Sequence, residues 1–278
     1  LANNYGPEPG TAEENFGRIL RENLASHRDE LFITTKAGHR MWPGVYGDGS
    51  SRKNLLASCD QSLRRMGLDY VDVFYSHRYD GVTPIEETMQ ALVDIVRAGK
   101  ALYVGISKYP AHLQAQCYAY LREQHVPCLV SQYPASMFRR TSVASAEDSN
   151  LSVATKNGSG FVCFSPLAQG LLTTKYFNGI PANSRAAKAT GFLRTDQVTP
   201  ERVEAARNLH TIAQERGQSL PQMALAWLLH DQRVTSVIIG TSSVAQLNDN
   251  LQTLNNLTFT ADELLRIDQI LSRKGIAM

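Results

Sequence analysis

Short apolar runs alternate with longer stretches of helical period along most of this chain, and that alternation limits its fold more than any other feature. The runs occupy residues 31–35, 70–75, 101–106, 129–131, 161–164 and 234–239. Between them stand helix signals. Leu55, Leu56, Cys59, Leu63 and Met66 recur at helical spacing before Gly67, a residue suited to ending a helix. Thr83, Pro84 and Glu86 read as a cap, a first-turn proline and an acid, with Gly99 closing that helix. Residues 111–124, 200–216 and 221–229 read as further helices, and two amphipathic ones finish the chain. Near the start, Thr11 and Glu14 have capping-box spacing ahead of Phe16, Ile19, Leu20 and Leu24.

Strands alternating with helices imply βαβ units and a parallel sheet. A closed (β/α)8 TIM barrel needs eight strands, and six are visible. The chain opens at Leu1 without a methionine and ends in helices. The pattern therefore predicts an α/β barrel truncated at its N-terminus, its first strand and most of its second lying before Leu1. Residues 1–278 form one incomplete barrel domain on this reading. The 139–160 stretch fits the alternation least: a helix is due, yet Ser, Thr, Ala and Asn dominate and only Leu151 and Val153 suggest an apolar face.

A formal net charge of +2 gives no whole-molecule reason to expect nucleic acid or a membrane surface as a partner. No apolar run reaches the roughly 18 residues that suggest a transmembrane helix. Cys59, Cys117, Cys128 and Cys163 form no C-x-x-C pair and lack metal-ligand spacing, so no metal is expected and a reducing cytoplasm is the plain reading. Gly47 and Gly49 are followed by Arg52 where a dinucleotide fingerprint would need its third glycine, which excludes that motif.

Tyr5, Lys36 and His77 recur at about the length of one βα unit, with Lys36 and His77 at the ends of apolar runs. Barrel enzymes gather their reactive groups at the C-terminal ends of successive strands. A lysine ending an apolar strand is costly to bury without a partner, so the three together point to chemistry rather than packing.

These residues lie in motifs that resemble the aldo-keto reductase family. Leu1-Ala2-Asn3-Asn4-Tyr5-Gly6 is similar to the family's D-x-A-x-x-Y-G, with the aspartate position falling just before Leu1. Ile33-Thr34-Thr35-Lys36, Tyr75-Ser76-His77-Arg78, Val104-Gly105-Ile106-Ser107 and the 165–172 segment SPLAQGLL match in the same order. Met41-Trp42-Pro43-Gly44, Ser51-Arg52-Lys53 and the 65–72 segment RMGLDYVD resemble a bacterial branch.

The resemblance implies NADPH-dependent reduction of small aldehydes, phosphorylated trioses or methylglyoxal among them. Tyr5 would donate the proton, Lys36 would lower the tyrosine pKa and His77 would orient the carbonyl oxygen. It implies that Ser107 and Gln132 hold the nicotinamide carboxamide, and that Ser165, Pro166, Leu167 and Gln169 lie along the cofactor. Lys175 and Arg185 would meet the 2′-phosphate of NADP. Gly240, Ser242, Gln246 and Asn250 would form the adenosine-phosphate site at a helix start.

Two positions depart from the family: Ala135 stands where a tyrosine often stacks on the nicotinamide, leaving Tyr133 or Phe138 to substitute, and Lys108 replaces a frequent asparagine. The resemblance also allows a homo-oligomer, and it extends to NADP-binding regulatory subunits of potassium channels. Those carry asparagine at the His77 position, so the histidine favours an enzyme; the absent first strands and the weak 139–160 stretch leave an inactive fragment as a further alternative.

Overall fold

The computed structural model describes residues 1–187 and 192–278. By its internal contacts the chain forms two compact units: Leu1–Gln132 with Ala146–Gly160, and Tyr133–Ser145 with Phe161–Met278.

In the first unit, β1 (Thr34–Ala37), β2 (Val71–Ser76), β3 (Ala101–Ser107) and β4 (Cys128–Pro134, its last two residues in the second unit) run parallel in that order. The helices are α1 (Thr11–Ile19), α2 (Arg52–Met66), α3 (Ile85–Arg97), α4 (Ala111–Glu123) and α5 (Asn150–Lys156). In the second unit, β5 (Gly160–Phe164, its first residue in the first unit) pairs in parallel with β6 (Ser236–Ile238). With them are α6 (Pro200–Glu215), α7 (Leu220–Leu229), α8 (Val244–Leu251) and α9 (Ala261–Leu271). All described pairings between these strands within each unit are parallel, and no described helix is long and apolar enough to cross a membrane.

Local chemistry moves several boundaries. β1 begins at Thr34 rather than residue 31 because the Ile33 N–H donates to the Asp72 carboxylate at 2.8 Å instead of joining the ladder. The strand runs on to Ala37, so Lys36 lies inside β1, not at its end. The capping box at Thr11 and Glu14 does not form. Gly10, with φ +97°, is the cap residue, and the Thr11 hydroxyl donates to the Glu8 carbonyl. Residues 20–24 leave α geometry for a π turn. Thr83 does not cap α3 either, since Asp80 accepts both its N–H and its hydroxyl, and the helix starts at Ile85 with Pro84 as cap. Gly67 does end α2, at φ +68°.

The weak 139–160 stretch yields α5, a short helix capped by Ser149. It is anchored by polar contacts that an apolar-stripe reading cannot detect. Buried Gln114 on α4 donates to the Asn150 carbonyl, while the Asn150 amide donates to Gln114 and to the Tyr109 carbonyl.

Glu13 on α1 ties the first unit together: fully buried, it accepts from Thr35 on β1 and from Arg65 on α2. Nearby, a Cβ at Gly17 would lie 2.6 Å from the Met66 carbonyl oxygen and 2.7 Å from its Cα. Gly17→Ala would gain about 0.5–1 kcal/mol of helix propensity. It would also push against backbone that cannot rotate aside, and overpacking of this kind costs about 1–3 kcal/mol. The clash wins, so the variant should have a lower urea midpoint than the parent. An unchanged or raised midpoint would show that the two helices separate freely. The second unit's core is built by Leu209, Ile212, Met223, Ile267 and Leu271 from α6, α7 and α9, with Leu171, Leu172 and Phe138 from the loops.

Candidate functional site

The register of the first sheet aligns Lys36 with Tyr75 and Tyr75 with Gly105. The Tyr75 ring lies across Gly105, where any Cβ would come within 2.4 Å of it. This flat aromatic wall lies 5.3 Å from Lys36 Nζ, measured to the ring centroid. On another side, Tyr5 has its ring centroid 5.8 Å from the same nitrogen. The Asn3 N–H donates to the Lys36 carbonyl at 2.9 Å, which fastens the segment carrying Tyr5 to β1.

His77 follows β2 directly, and its N–H donates to the Ala37 carbonyl at 2.8 Å. Its ring meets Tyr5 edge to face at 5.7 Å. Tyr5, Lys36 and His77 are thus brought together from three separate segments of one unit. Lys36 and His77 are buried, whereas Tyr5 is 41 % exposed and gives the group an open side.

Sequence reasoning missed His39. It stands in the loop after β1, with its ring 4.4 Å from that of His77, and its Nε2 is 3.0 Å from Lys108 Nζ. No motif marks it, and only its place just beyond Lys36 could have suggested it. Lys108 has a left-handed φ of +58°, an uncommon conformation for a lysine.

The electrostatics are dominated by burial and by cations. Burial, then the Lys108 charge, lowers Lys36 to about 8, with Glu13 opposing. Burial, then Lys108 and Lys36, pushes His77 far below the usual histidine range. Burial, then Lys108 and Arg78, lowers His39 to about 4. Both imidazoles are therefore neutral near pH 7. Burial raises Tyr5, so the lowering anticipated from Lys36 is not what dominates its hydroxyl.

Ser107 ends β3, while Gln132 lies inside β4 rather than after it. The Ser107 hydroxyl donates to the Gln132 carbonyl at 2.7 Å. Neither aromatic substitute for the missing stacking tyrosine is displayed: Tyr133 stacks on Phe161, and Phe138 is buried in the second core.

In the second unit, the turn after β5 strings together left-handed Ser165, Ala168 and Gln169, with Pro166 and Leu167 between them. The Gln169 amide donates to Ser165 Oγ, and Arg185 donates to Gln169 Oε1 at 2.9 Å. The Arg185 guanidinium also reaches Gly240, lying 3.9 Å from where its Cβ would be. Past Gly240, Gln246 accepts from the N–H and hydroxyl of Ser242 at the start of α8. Ser165, Gln169, Arg185 and Gly240 therefore share one linked surface. Lys175 is exposed in a neighbouring turn, and Asn250 is buried near the far end of α8.

Comparison with known proteins gives these arrangements a lineage. The chain is 54 % identical over 272 residues to the L-glyceraldehyde 3-phosphate reductases of Escherichia coli K12 and O157:H7, covering 97 % of this chain and 78 % of those proteins. It is 35 % identical over 271 residues to a probable voltage-gated potassium channel subunit beta of Arabidopsis thaliana, covering 95 % and 80 % respectively. The model of the aldo/keto reductase family matches residues 1–272, and the chain belongs to that family.

Proposed function

We propose that the chain is an NADPH-dependent reductase of small aldehydes and that residues 1–278 make up one barrel domain of the (β/α)8 kind, six of whose strands are described. The grouping of Tyr5, Lys36 and His77 within ring-contact range carries this reading, and the family match together with the alternation of parallel strands and helices supports the fold.

Bound NADPH supplies the hydride to the carbonyl carbon. The residues of this chain handle the proton and the geometry. Tyr5 Oη donates the proton to the carbonyl oxygen, and the Lys36 ammonium offsets the charge left on the phenolate. A neutral His77 offers an N–H to the same oxygen without yielding its proton, so orientation and proton donation fall to different groups. Its Nδ1 is buried without a hydrogen-bond partner.

The second unit's donor set fits a phosphorylated dinucleotide. Arg185 offers a planar fork beside Gly240, Lys175 is an accessible cation, and Ser242 and Gln246 stand at a helix start. On this reading Lys175 and Arg185 meet the 2′-phosphate, while Ser165, Pro166, Leu167 and Gln169 line the pyrophosphate. Gly240, Ser242, Gln246 and Asn250 hold the adenosine end, and Ser107 and Gln132 hold the carboxamide.

Fluorescence titration should give a lower Kd for NADPH than for NADH, since each charge-assisted contact contributes roughly 1.5–3 kcal/mol. Lys175→Ala combined with Arg185→Ala should erase most of that preference. Equal affinities in the parent would remove the case for NADP. An aldehyde panel completes the test, and cofactor binding without turnover would favour a cofactor-binding subunit instead.

A further inference from the structure

We infer that Lys108, held by His39, is a specificity-determining residue that selects aldehydes carrying an anionic group, phosphate or carboxylate, over uncharged ones. This rests on reading Tyr5, Lys36 and His77 as the carbonyl-reducing centre.

The argument begins with unbalanced charge. Arg78 in the same loop region is already satisfied: it pairs with Asp48 at 2.7 Å and donates to the Gly38 carbonyl at 2.8 Å. Lys36 and Lys108 have no such partner. Among the described residues, neither lies within salt-bridge distance of a carboxylate, although Lys36 is buried and Lys108 half-buried. Each depresses the protonation of His77. Two unpaired cations beside one neutral ring are costly to keep out of water, and an arriving anion is what lowers that cost.

On the proposed mechanism Lys36 is committed to Tyr5. Lys108 stands one ring further out, along the succession Tyr5, His77, His39, Lys108. An ammonium can only donate, so His39 Nε2 accepts from Lys108 and the His39 proton resides on Nδ1. That single contact fixes both the lysine head and the imidazole tautomer. The left-handed backbone at Lys108 is consistent with a side chain turned to this place for use, since strained residues cluster at ligand sites. A substrate whose carbonyl oxygen lies at Tyr5 and His77 would meet Lys108 with its other end.

The test uses Lys108→Met, which keeps length and removes charge, with Lys108→Arg as the conservative control. Glycerol 3-phosphate and glycerate serve as non-reactive anionic probes and glycerol as the neutral one, titrated into the protein with NADP present. Lys108→Met should weaken binding of at least one anionic probe by roughly 10- to 100-fold, as loss of a charge-assisted contact does, and leave glycerol unaffected. Which probe responds separates phosphate from carboxylate. In turnover, kcat/KM for L-glyceraldehyde 3-phosphate or succinic semialdehyde relative to L-glyceraldehyde should fall by a similar factor, chiefly through KM. Lys108→Arg should restore it, and NADPH affinity should not move.

Parallel changes for charged and uncharged compounds, no change in any, or a loss confined to NADPH affinity would each overturn the assignment. A protein that binds glycerol 3-phosphate through Lys108 yet reduces no aldehyde keeps the anion site and overturns the reductase reading. One that reduces charged and uncharged aldehydes with the same Lys108 dependence does the reverse.

Discussion

Tyr5→Phe is expected to lower aldehyde reduction with NADPH by about 10²–10⁴-fold, the usual contribution of a positioned general acid. NADPH affinity should stay within about threefold, a difference of roughly 0.6 kcal/mol. The substitution removes one hydroxyl and leaves the ring that packs edge to face against His77 and lies near Lys36 Nζ. Because the residue is 41 % exposed, little core packing is at stake, and thermal stability should barely change. His77 cannot take over: burial and the neighbouring lysines hold it neutral, and a neutral imidazole is a poor proton donor near pH 7. Burial, with Lys108 and Arg78, keeps His39 neutral as well. Turnover within about tenfold of the parent, roughly 1.4 kcal/mol of barrier, would assign the proton to another group.

What could be read without coordinates divides along physical lines. The strands were legible because four to seven apolar or β-branched residues bounded by turn formers can pack in few other ways, as at β2 and β3. Their ends were less so, because a side chain distant in sequence decides them: Asp72 takes the Ile33 N–H, and Asp80 takes the groups Thr83 would have used as a cap. The helix α5 was faint because Gln114 and Asn150 hold it, and such amides look like any surface pair until they are seen facing each other.

At the site, Tyr5, Lys36 and His77 stood out through spacing and motif. His39 did not, since a loop histidine has no period and its significance comes from Lys108, reached only when β1 and β3 are folded into one sheet. Lys108 itself was visible only as a departure from the family. Its left-handed backbone and its contact belong to the structure alone.

Lys36→Met should abolish most activity and yet make the protein more stable at neutral pH. Both effects come from the same unpaired charge. Lys36 is buried, and burial together with the Lys108 charge lowers it from 10.5 to about 8, so the folded protein resists its ammonium form. Between those two values the unfolded chain binds more protons than the folded one, and stability therefore rises with pH across that window. Below about 8 the lysine is charged in both states and the full destabilisation is present, on the order of 3 kcal/mol at 1.36 kcal/mol per pKa unit. Methionine fills nearly the same volume against the Tyr75 ring without a charge to desolvate. The variant should melt several degrees above the parent at pH 7, with the gain shrinking as pH approaches 10.5.

Activity should follow the opposite course, because in the proposed mechanism the ammonium offsets the Tyr5 phenolate. In the parent, kcat/KM should fall as pH rises through about 8, where Lys36 loses its proton, and in Lys36→Met that limb should be absent from whatever turnover remains. A site that keeps a destabilising charge because the reaction uses it is the trade-off expected of catalytic groups. If Lys36→Met instead melts lower at every pH, the lysine acts as a structural cation, and Glu13, the acid whose charge favours its ammonium form, becomes the partner to examine.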